Sequence, residues 1–161
     1  MGLDGAGAPG GRIKRLEDVD GDGIYDEAVI FMDQISWPNG IYPWENGLWI
    51  SAAPHVFFAS DSDGDGKADL VRRLFEGFGV WNQQHLVNGF VYGLDHLLHG
   101  ANGDSSGVVR SLWSEDEWNI RRRDFRFNPV DGLFEMVEGQ TQFGRRRDDW
   151  GNWYGNNNPP D

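Results

Sequence analysis

The sequence predicts an all-β protein, a partial β-propeller of about three antiparallel, four-stranded blades. Three observations support this. A segment that begins at residue 12 is repeated from residue 55, Asp-Gly turns separate alternating strands, and the composition is rich in aromatic residues and glycine. The 161 residues include 23 Gly and 8 Trp, and aromatic residues make up 14%. Such a composition favours short strands and tight turns over helices.

The repeat consists of two segments that align without a gap. Residues 12–35 read RIKRLEDVDGDGIYDEAVIFMDQI, and residues 55–78 read HVFFASDSDGDGKADLVRRLFEGF. Each is an alternating strand, a DGDG turn and a second strand, which predicts a β-hairpin. A spacing of roughly 40–45 residues is typical of one propeller blade.

The remaining strands complete the blades. Segments 39–42 and 46–51 predict an inner strand pair, 89–93 and 96–100 repeat it, and 108–113, 124–128 and 133–138 predict outer strands. We therefore expect a flexible lead-in (1–11), a half-blade (12–35), a blade (37–78), a second blade with an insertion (81–139) and a partial blade (142–161). Propellers close with roughly four to eight blades. The sequence thus predicts an incomplete segment of a larger propeller, either a truncated gene product or an excised region.

Charge and composition exclude several function classes. A net charge of −12 argues against a nucleic-acid partner, which needs a basic surface. The arginine runs 121–123 and 145–147 are interpreted as solvated charge on edge strands. There is no Cys, so no disulfide and no thiolate metal site. The sequence contains no apolar stretch long enough for a membrane span, and residues 1–6 do not form a signal peptide.

The two DGDG turns carry a cation-binding pattern. Carboxylates recur at positions 1, 3, 5 and 9 of each loop, where alternate residues of a tight turn point inward, and a backbone carbonyl at position 7 can add a ligand. These residues are Asp18, Asp20, Asp22, Ile24 and Asp26 in the first loop, and Asp61, Asp63, Asp65, Lys67 and Asp69 in the second. We predict that each loop binds calcium with a structural role.

Two alternatives compete with this prediction. An EF-hand needs a bidentate Glu at position 12, which here is Val29 or Arg72. The pattern resembles instead the calcium hairpins of integrin-type (FG-GAP) propellers. The simpler alternative is that DGDG only forms a good hairpin turn, although one turn needs one Asp-Gly and not four spaced acids.

Longer stretches resemble a known family. They are LEDVDGDG (16–23), FFASDSDGDGKADLVRRLFEGFG (57–79), NQQHLVNGFVYGLDHLLHGANG (82–103), DFRFNPVDGLFEMVEGQTQFG (124–144) and DDWGNWYGNNNPP (148–160). Together they resemble the propeller of PVC-type membrane-bound dehydrogenases from planctomycete-type bacteria. Those are large exported proteins related to quinoprotein glucose and sorbosone dehydrogenases. The resemblance covers nearly the whole chain from residue 12.

The resemblance implies a site and a location. His85 corresponds to the general base that takes the substrate hydroxyl proton, a task that suits an imidazole with a pKa near neutrality. Asn88, Asp148, Asp149 and Asn152 are expected to line the central channel, the last three because they lie at the predicted entry of the next inner strand. The implied cofactor is pyrroloquinoline quinone (PQQ), the implied substrate a small sugar or alcohol, and the implied location periplasmic or extracytoplasmic.

Two functional hypotheses follow from the sequence. The first is a segment of a PQQ-type sugar or alcohol dehydrogenase, which we expect to be inactive by itself. The second is a non-catalytic, calcium-stapled propeller that binds carbohydrate or protein. Because Phe143, Trp150 and Trp153 would lie on an uncovered blade face, either missing blades or self-association is expected to cover them.

Overall fold

The computed structural model describes residues 9–157, which contain β-strands and no helix. The all-β prediction is therefore confirmed. Most of the lead-in and the last residues of the partial blade, 1–8 and 158–161, lie outside the described range. The strands are β1 Gly11–Glu17, β2 Glu27–Ile35, β3 Pro38–Trp44, β4 Gly47–Ala52, β5 His55–Ser60, β6 Leu70–Phe78, β7 Asn88–Tyr92, β8 Leu98–Ala101, β9 Gly107–Ser111, β10 Glu117–Asn119, β11 Asp124–Phe127, β12 Phe134–Val137, β13 Phe143–Arg147 and β14 Trp153–Asn156.

The strands form four antiparallel sheets. Their orders are β1-β2, then β10-β9-β6-β5-β4-β3, then β12-β11-β8-β7, and finally β13-β14. Strands β3 to β6 are consecutive neighbours, as in a propeller blade, and β7, β8, β11 and β12 form the next blade. The predicted partial propeller is confirmed as an open set of antiparallel sheets with no closed barrel.

The insertion of the second blade pairs differently from the prediction. Segment 108–113 was expected as an outer strand of that blade, but β9 pairs with β6 of the preceding sheet, with Phe75 opposite Ser111. Glycines make this approach possible. A Cβ at Gly77 would lie 2.1 Å from the Val108 carbonyl oxygen, and one at Gly107 would lie 2.2 Å from the Gly77 carbonyl oxygen.

The core lies between the sheets, which stack face to face. Aromatic rings fill the space between the two complete blades, with Phe75 edge-on to Phe127 and Phe134, and Trp49 edge-on to Phe127. A smaller cluster joins the β1–β2 sheet to the next sheet through Ile13, Phe31, Ile35, Ile50, Ala52, Phe57 and Ala59. Strands β4 and β5 are consequently buried on both faces, whereas only Ile13 of β1 is buried.

The innermost strand of each sheet lies beside the innermost strand of the next. Strand β7 contacts both β3 and β13. The Gly144 N–H donates to the Asn88 side chain (3.0 Å), and the Arg147 guanidinium donates to the Tyr92 carbonyl (3.1 Å). Because residue 144 meets residue 88 and residue 147 meets residue 92, β7 and β13 run in the same direction. In the part of the chain that is described, no helix is long and apolar enough to cross a membrane.

Candidate cation loops and inner-strand site

The first loop joins β1 to β2 and brings three carboxylates together. One oxygen from each of Asp18, Asp20 and Asp22 lies within 4.8 Å of the others. The Asp18 carboxylate accepts the N–H groups of Gly21 (2.7 Å) and Gly23 (2.9 Å), which curls the backbone around it. Both glycines adopt positive φ (76° and 91°), a conformation that side chains disfavour.

The second loop joins β5 to β6 and repeats this geometry. Oxygens of Asp61, Asp63 and Asp65 converge within the same 4.8 Å. The Asp61 carboxylate accepts the N–H groups of Gly64 (2.7 Å) and Gly66 (2.8 Å), the equivalents of the first loop's glycines. The same sequence pattern therefore folds into the same loop at two places in the molecule.

The residues predicted as ligands at positions 7 and 9 make further hydrogen bonds within the loops. Asp26 accepts the Val19 N–H (2.9 Å), and Asp69 accepts both the N–H (3.0 Å) and the hydroxyl (2.5 Å) of Ser62. These carboxylates close the loops from the β2 and β6 sides and do not belong to the converging triads.

At position 7, the N–H groups donate within the loops. The Ile24 N–H donates to Asp22 (2.7 Å), and the Lys67 N–H donates to Asp65 (2.8 Å). The Lys67 ammonium also contacts Asp65, at 3.1 Å. The second loop thus contains a positively charged side chain, the Lys67 ammonium, and the first loop contains none.

Hydrogen bonds favour the ionised form of two loop carboxylates. The N–H of Gly66 lowers the pKa of Asp61, and the hydroxyl of Ser62 lowers the pKa of Asp69. Both loops are largely exposed, so water and ions reach the triads. Converging carboxylates at a solvent-accessible position repel one another and attract a hard cation that takes oxygen ligands.

His85 lies in the segment that leads into β7, and about a quarter of its side chain is exposed (26%). Its Nδ1 is 3.7 Å from a carboxylate oxygen of Asp104, and its Nε2 is 3.0 Å from the Gln142 amide nitrogen. Asp104 also accepts the amide of Gln140. The first separation exceeds hydrogen-bonding distance. The Gln142 amide is hydrogen-bonded to Nε2, the nitrogen with which a general base would take up a proton.

Asn88 joins two neighbouring inner strands. It is 3% exposed, and its amide donates to the carbonyls of Leu86 and Gln142, both at 2.8 Å. Its side-chain oxygen accepts the Gly144 N–H at 3.0 Å. Every polar atom of this side chain is therefore used in positioning β7 against β13, and its expected role in lining a channel stays a prediction.

Asp148, Asp149 and Asn152 follow the inner strand β13 instead of entering it. Asp148 organises the turn to β14, since it accepts the N–H groups of Trp150 (3.0 Å) and Asn152 (2.9 Å) and the Tyr154 hydroxyl (3.1 Å). The Asn152 side-chain amide is the main cause of a lowered Asp148 pKa, while Asp149 is exposed.

The predicted inner-strand residues therefore do not converge. His85 precedes β7 and Asp148 follows β13, and these two strands run in the same direction. The imidazole and the Asp148 turn lie at opposite ends of the strand pair. The structure groups His85 with Asp104, Gln140 and Gln142.

A buried ion pair near this site was not predicted. Asp124 is 0% exposed and accepts the guanidinium of Arg145 (2.7 Å), the Thr141 hydroxyl (2.6 Å) and the N–H groups of Asn102 and Thr141 (both 3.1 Å). The interpretation of segment 145–147 as solvated edge charge is wrong for Arg145, which is 7% exposed. The ion pair between Arg145 and Asp124 holds β13 against β11.

A second polar network surrounds His99 on β8. The imidazole is buried, stacks on Trp153 with 3.8 Å between ring centroids, and lies 3.0 Å from Asp95. Burial lowers the pKa of His99. Asp95 in turn accepts the guanidinium of Arg126 at 2.8 Å. The only sequence signal for this network was the spacing of Asp95 and His99.

Comparison with known protein families identifies the family of this chain. The profile of a family described as a domain of unknown function (DUF7133) matches residues 2–161. No curated protein and no solved structure matches the chain. Because the match spans nearly the full sequence, the chain belongs to the DUF7133 family.

Proposed function

We propose that this chain is a calcium-stapled segment of a β-propeller that holds one Ca²⁺ in each Asp-rich loop. The observation that carries the proposal is the convergence of three carboxylate oxygens within 4.8 Å, repeated at equivalent positions of two loops. A hairpin turn alone gives no reason for this duplication. Calcium suits the donor set because it takes six to eight oxygen ligands in flexible geometry.

The first loop offers further ligands around its triad. Asp26 engages the Val19 N–H through Oδ2, so Oδ1 is the atom that would turn toward a cation. The Ile24 carbonyl and water molecules would complete the coordination shell. In the second loop Ser62 donates to both oxygens of Asp69, and the Lys67 ammonium lies 3.1 Å from Asp65. The Ser62 hydroxyl and the ammonium must both move away for the cation to bind there.

The cation would have a structural role. Asp18 follows the last residue of β1, and Asp26 precedes the first residue of β2, so ligands from both would tie the ends of the hairpin together. A ligand that binds only the folded state stabilises it by about 2.7 kcal/mol at 100 times its dissociation constant.

The test is a calorimetric titration of the chain with calcium after treatment with a chelator. The wild type is expected to bind two ions. Asp20→Asn should remove the first site, Asp63→Asn the second, and the double variant both. Glu115→Gln, at an exposed acid outside the loops, is the matched control. Equal binding by the wild type and the double variant would contradict the proposal.

A second candidate is a segment of a sugar- or alcohol-oxidising enzyme with His85 as its base. The observation that favours it is the position of the Asp104 carboxylate beside Nδ1 of His85 (3.7 Å), which would stabilise the imidazolium after proton uptake. For this role, Nε2 must exchange the Gln142 amide for a substrate hydroxyl.

The described residues do not fit a PQQ-type cofactor by themselves. Such a quinone bears carboxylates and needs cationic side chains near the base. Arg147 lies toward the other end of β7, bound to the Tyr92 carbonyl, and Arg145 is paired with Asp124. The support for this cofactor is therefore the sequence resemblance alone.

The check on this second candidate is a dye-reduction assay with sugars and alcohols, with and without added quinone. We expect no turnover by the chain alone, and His85→Gln should not change that result. Turnover that depends on His85 would establish the enzymatic function and contradict our expectation.

A further inference from the structure

A small cavity lies between the two complete blades. Its volume is about 160 Å³, the space of about five water molecules at roughly 30 Å³ each. Its walls come from β3 to β6 and the β3–β4 turn of one blade, and from the β11–β12 turn of the next. Every wall residue thus lies within the range 44–130, in elements that the structure describes completely. The cavity shares no residue with the carboxylate triads.

The inner wall of the cavity is aromatic and carries one hydrogen-bond donor. Trp49 is 1% exposed, and its ring packs against that of Phe58 with 5.2 Å between centroids. The Trp49 indole N–H has no hydrogen-bond acceptor in the described chain. A buried tryptophan N–H ordinarily has such a partner. The wall therefore supplies a donor that a bound ligand can use.

The rim of the cavity carries two opposite charges. Glu45 and Arg72 both line the cavity and are exposed. Within residues 9–157, neither side chain takes part in an ion pair. The Arg72 guanidinium lies over the Trp113 ring, 4.5 Å from its centroid, so a cation–π contact helps to position it. Its hydrogen-bond donors remain available to an anion.

Glu45 occupies the rim in a strained backbone conformation. It is the first of two residues in the turn between Trp44 and Gly47, and its φ is 49°. Two-residue hairpin turns with positive φ at this place ordinarily have glycine there, because a Cβ is disfavoured. Strained residues of this kind cluster at binding and catalytic sites. A carboxylate is thus present where glycine would favour folding.

We propose that this cavity binds an α-amino acid with a small aliphatic side chain. The ligand carboxylate accepts hydrogen bonds from the Arg72 guanidinium and the Trp49 indole N–H, and the ligand ammonium pairs with Glu45. The aliphatic side chain packs against the aromatic wall. This inference goes beyond the cation-binding function.

Charge selects this ligand class over two simpler ones. A neutral sugar would leave both Glu45 and Arg72 without a charged partner. A simple carboxylate would pair with Arg72 but would bring a second negative charge toward Glu45. A zwitterion matches both rim charges, and an aliphatic side chain matches the wall behind them.

The first test follows the indole N–H signals of the ¹⁵N-labelled chain by nuclear magnetic resonance as leucine is added. Once the signals of the 8 Trp are assigned, the Trp49 signal is expected to shift. The signal of Trp150, which is 84% exposed and does not line the cavity, should stay in place. An unchanged Trp49 signal at millimolar leucine overturns the inference, as does an equal shift of the Trp150 signal.

Rim variants test the two ends of the ligand separately. Glu45→Gln and Arg72→Gln should each weaken leucine binding about five-fold or more in a calorimetric titration. Arg73→Gln and Glu115→Gln, at exposed residues outside the cavity, are the matched controls and should bind like the wild type. Equal losses in the controls, or undiminished binding by both rim variants, overturn the assignment.

A glycine variant separates binding from folding. Glu45→Gly should abolish the contribution of the carboxylate to leucine binding while leaving the midpoint of thermal unfolding unchanged or higher, because it relieves the positive φ. A lower midpoint together with unchanged leucine binding would show that Glu45 is a structural residue and would overturn its assigned role.

Three small molecules separate the ligand classes in the same titration. Leucine should bind more tightly than acetate, which lacks the ammonium group, and glucose should not bind. Glucose binding without leucine binding overturns the inference, and so does acetate binding as tight as that of leucine. A chain that binds calcium but not leucine would refute this inference alone, and one that binds leucine but no calcium would refute only the cation proposal.

Discussion

The two Asp-rich loops show how one sequence pattern behaves in two settings. Loop 18–26 and loop 61–69 share their carboxylates, their positive-φ glycines and their backbone hydrogen bonds. They differ at position 7, where Ile24 is 66% exposed and Lys67 contacts Asp65 at 3.1 Å. Short-range sequence therefore sets the geometry of each loop, while a single side chain changes its charge.

The strands that carry the loops differ in burial much more than the loops differ in geometry. Five of the six residues of β5 are buried, but only one of the seven residues of β1 is. Strand β5 lies between two neighbours in a six-stranded sheet, and β1 has a single neighbour. The stability of each hairpin therefore depends strongly on the sheets that surround it.

The largest difference is expected in the cores behind the two hairpins. Phe75 and Met32 are equivalent in the repeat, but Phe75 is 1% exposed between aromatic rings, whereas Met32 is half-buried. Phe75→Ala should lower the free energy of unfolding by about 3–5 kcal/mol, and Met32→Ala by less than about 2 kcal/mol. Urea denaturation of both variants measures this. Equal losses would show that the half-blade is as well packed as the complete blade.

Two ion pairs should show the same order: the buried pair should contribute more to stability than the exposed pair of the half-blade. Asp124 and Arg145 are buried, so Asp124→Ala leaves a guanidinium without its partner and should cost about 3–5 kcal/mol. The half-blade pair, Arg12 with Asp33, has side chains 47% and 40% exposed, and Asp33→Ala should leave the midpoint of thermal unfolding nearly unchanged. Thermal unfolding of the two variants gives the comparison. A large effect of Asp33→Ala would refute the described exposure of β1–β2.

Exchanging the residues at position 7 should exchange the calcium affinities of the loops. Lys67→Ile removes the competing ammonium and should tighten the second site by about two- to five-fold, a small effect because the pair is exposed. Ile24→Lys should weaken the first site by a similar factor. Calorimetry on single-loop variants (Asp20→Asn or Asp63→Asn background) separates the two sites. Unchanged affinities would mean that Lys67 swings into solvent at no cost.

The smallest expected effect is a pH dependence of the calcium-free second loop. Hydrogen bonds lower the pKa of Asp61 and Asp69 in the folded state, so their contribution to stability is present above the unfolded-state pKa. It is lost as the pH falls through the lowered folded-state values. Asp61→Asn should therefore flatten the decline of stability between about pH 5 and pH 2, as followed by circular dichroism. Glu115→Gln is the control, and identical curves for both variants would contradict the assignment.

Much of the fold was predictable because it depends on local sequence. The hairpins follow from alternating side chains and Asp-Gly turns, and the triads follow from the spacing of the acids. The pairing of β9 with β6 was not predictable. It requires a close approach of the two backbones at Gly77 and Gly107, which are distant in sequence.

The candidate inner-strand site was predicted less well. The residues around Asp148 were expected at the entry of a strand, whereas the structure places them in the turn after β13. Gly144 and Gly151 adopt positive φ at the same spacing as Gly89 and His96, but this correspondence is visible only in the structure. Arg145 could not be identified as buried, because its environment is built by Asp124 and by residues of other strands.

The most direct test of the calcium staple is the thermal unfolding of the wild type and the double variant Asp20→Asn/Asp63→Asn, each in excess calcium and in a chelator. We predict that calcium raises the wild-type midpoint by several degrees, consistent with about 2.7 kcal/mol for each site at 100 times its dissociation constant. The double variant should show the same midpoint in both conditions. A wild-type midpoint that calcium does not change would contradict the account.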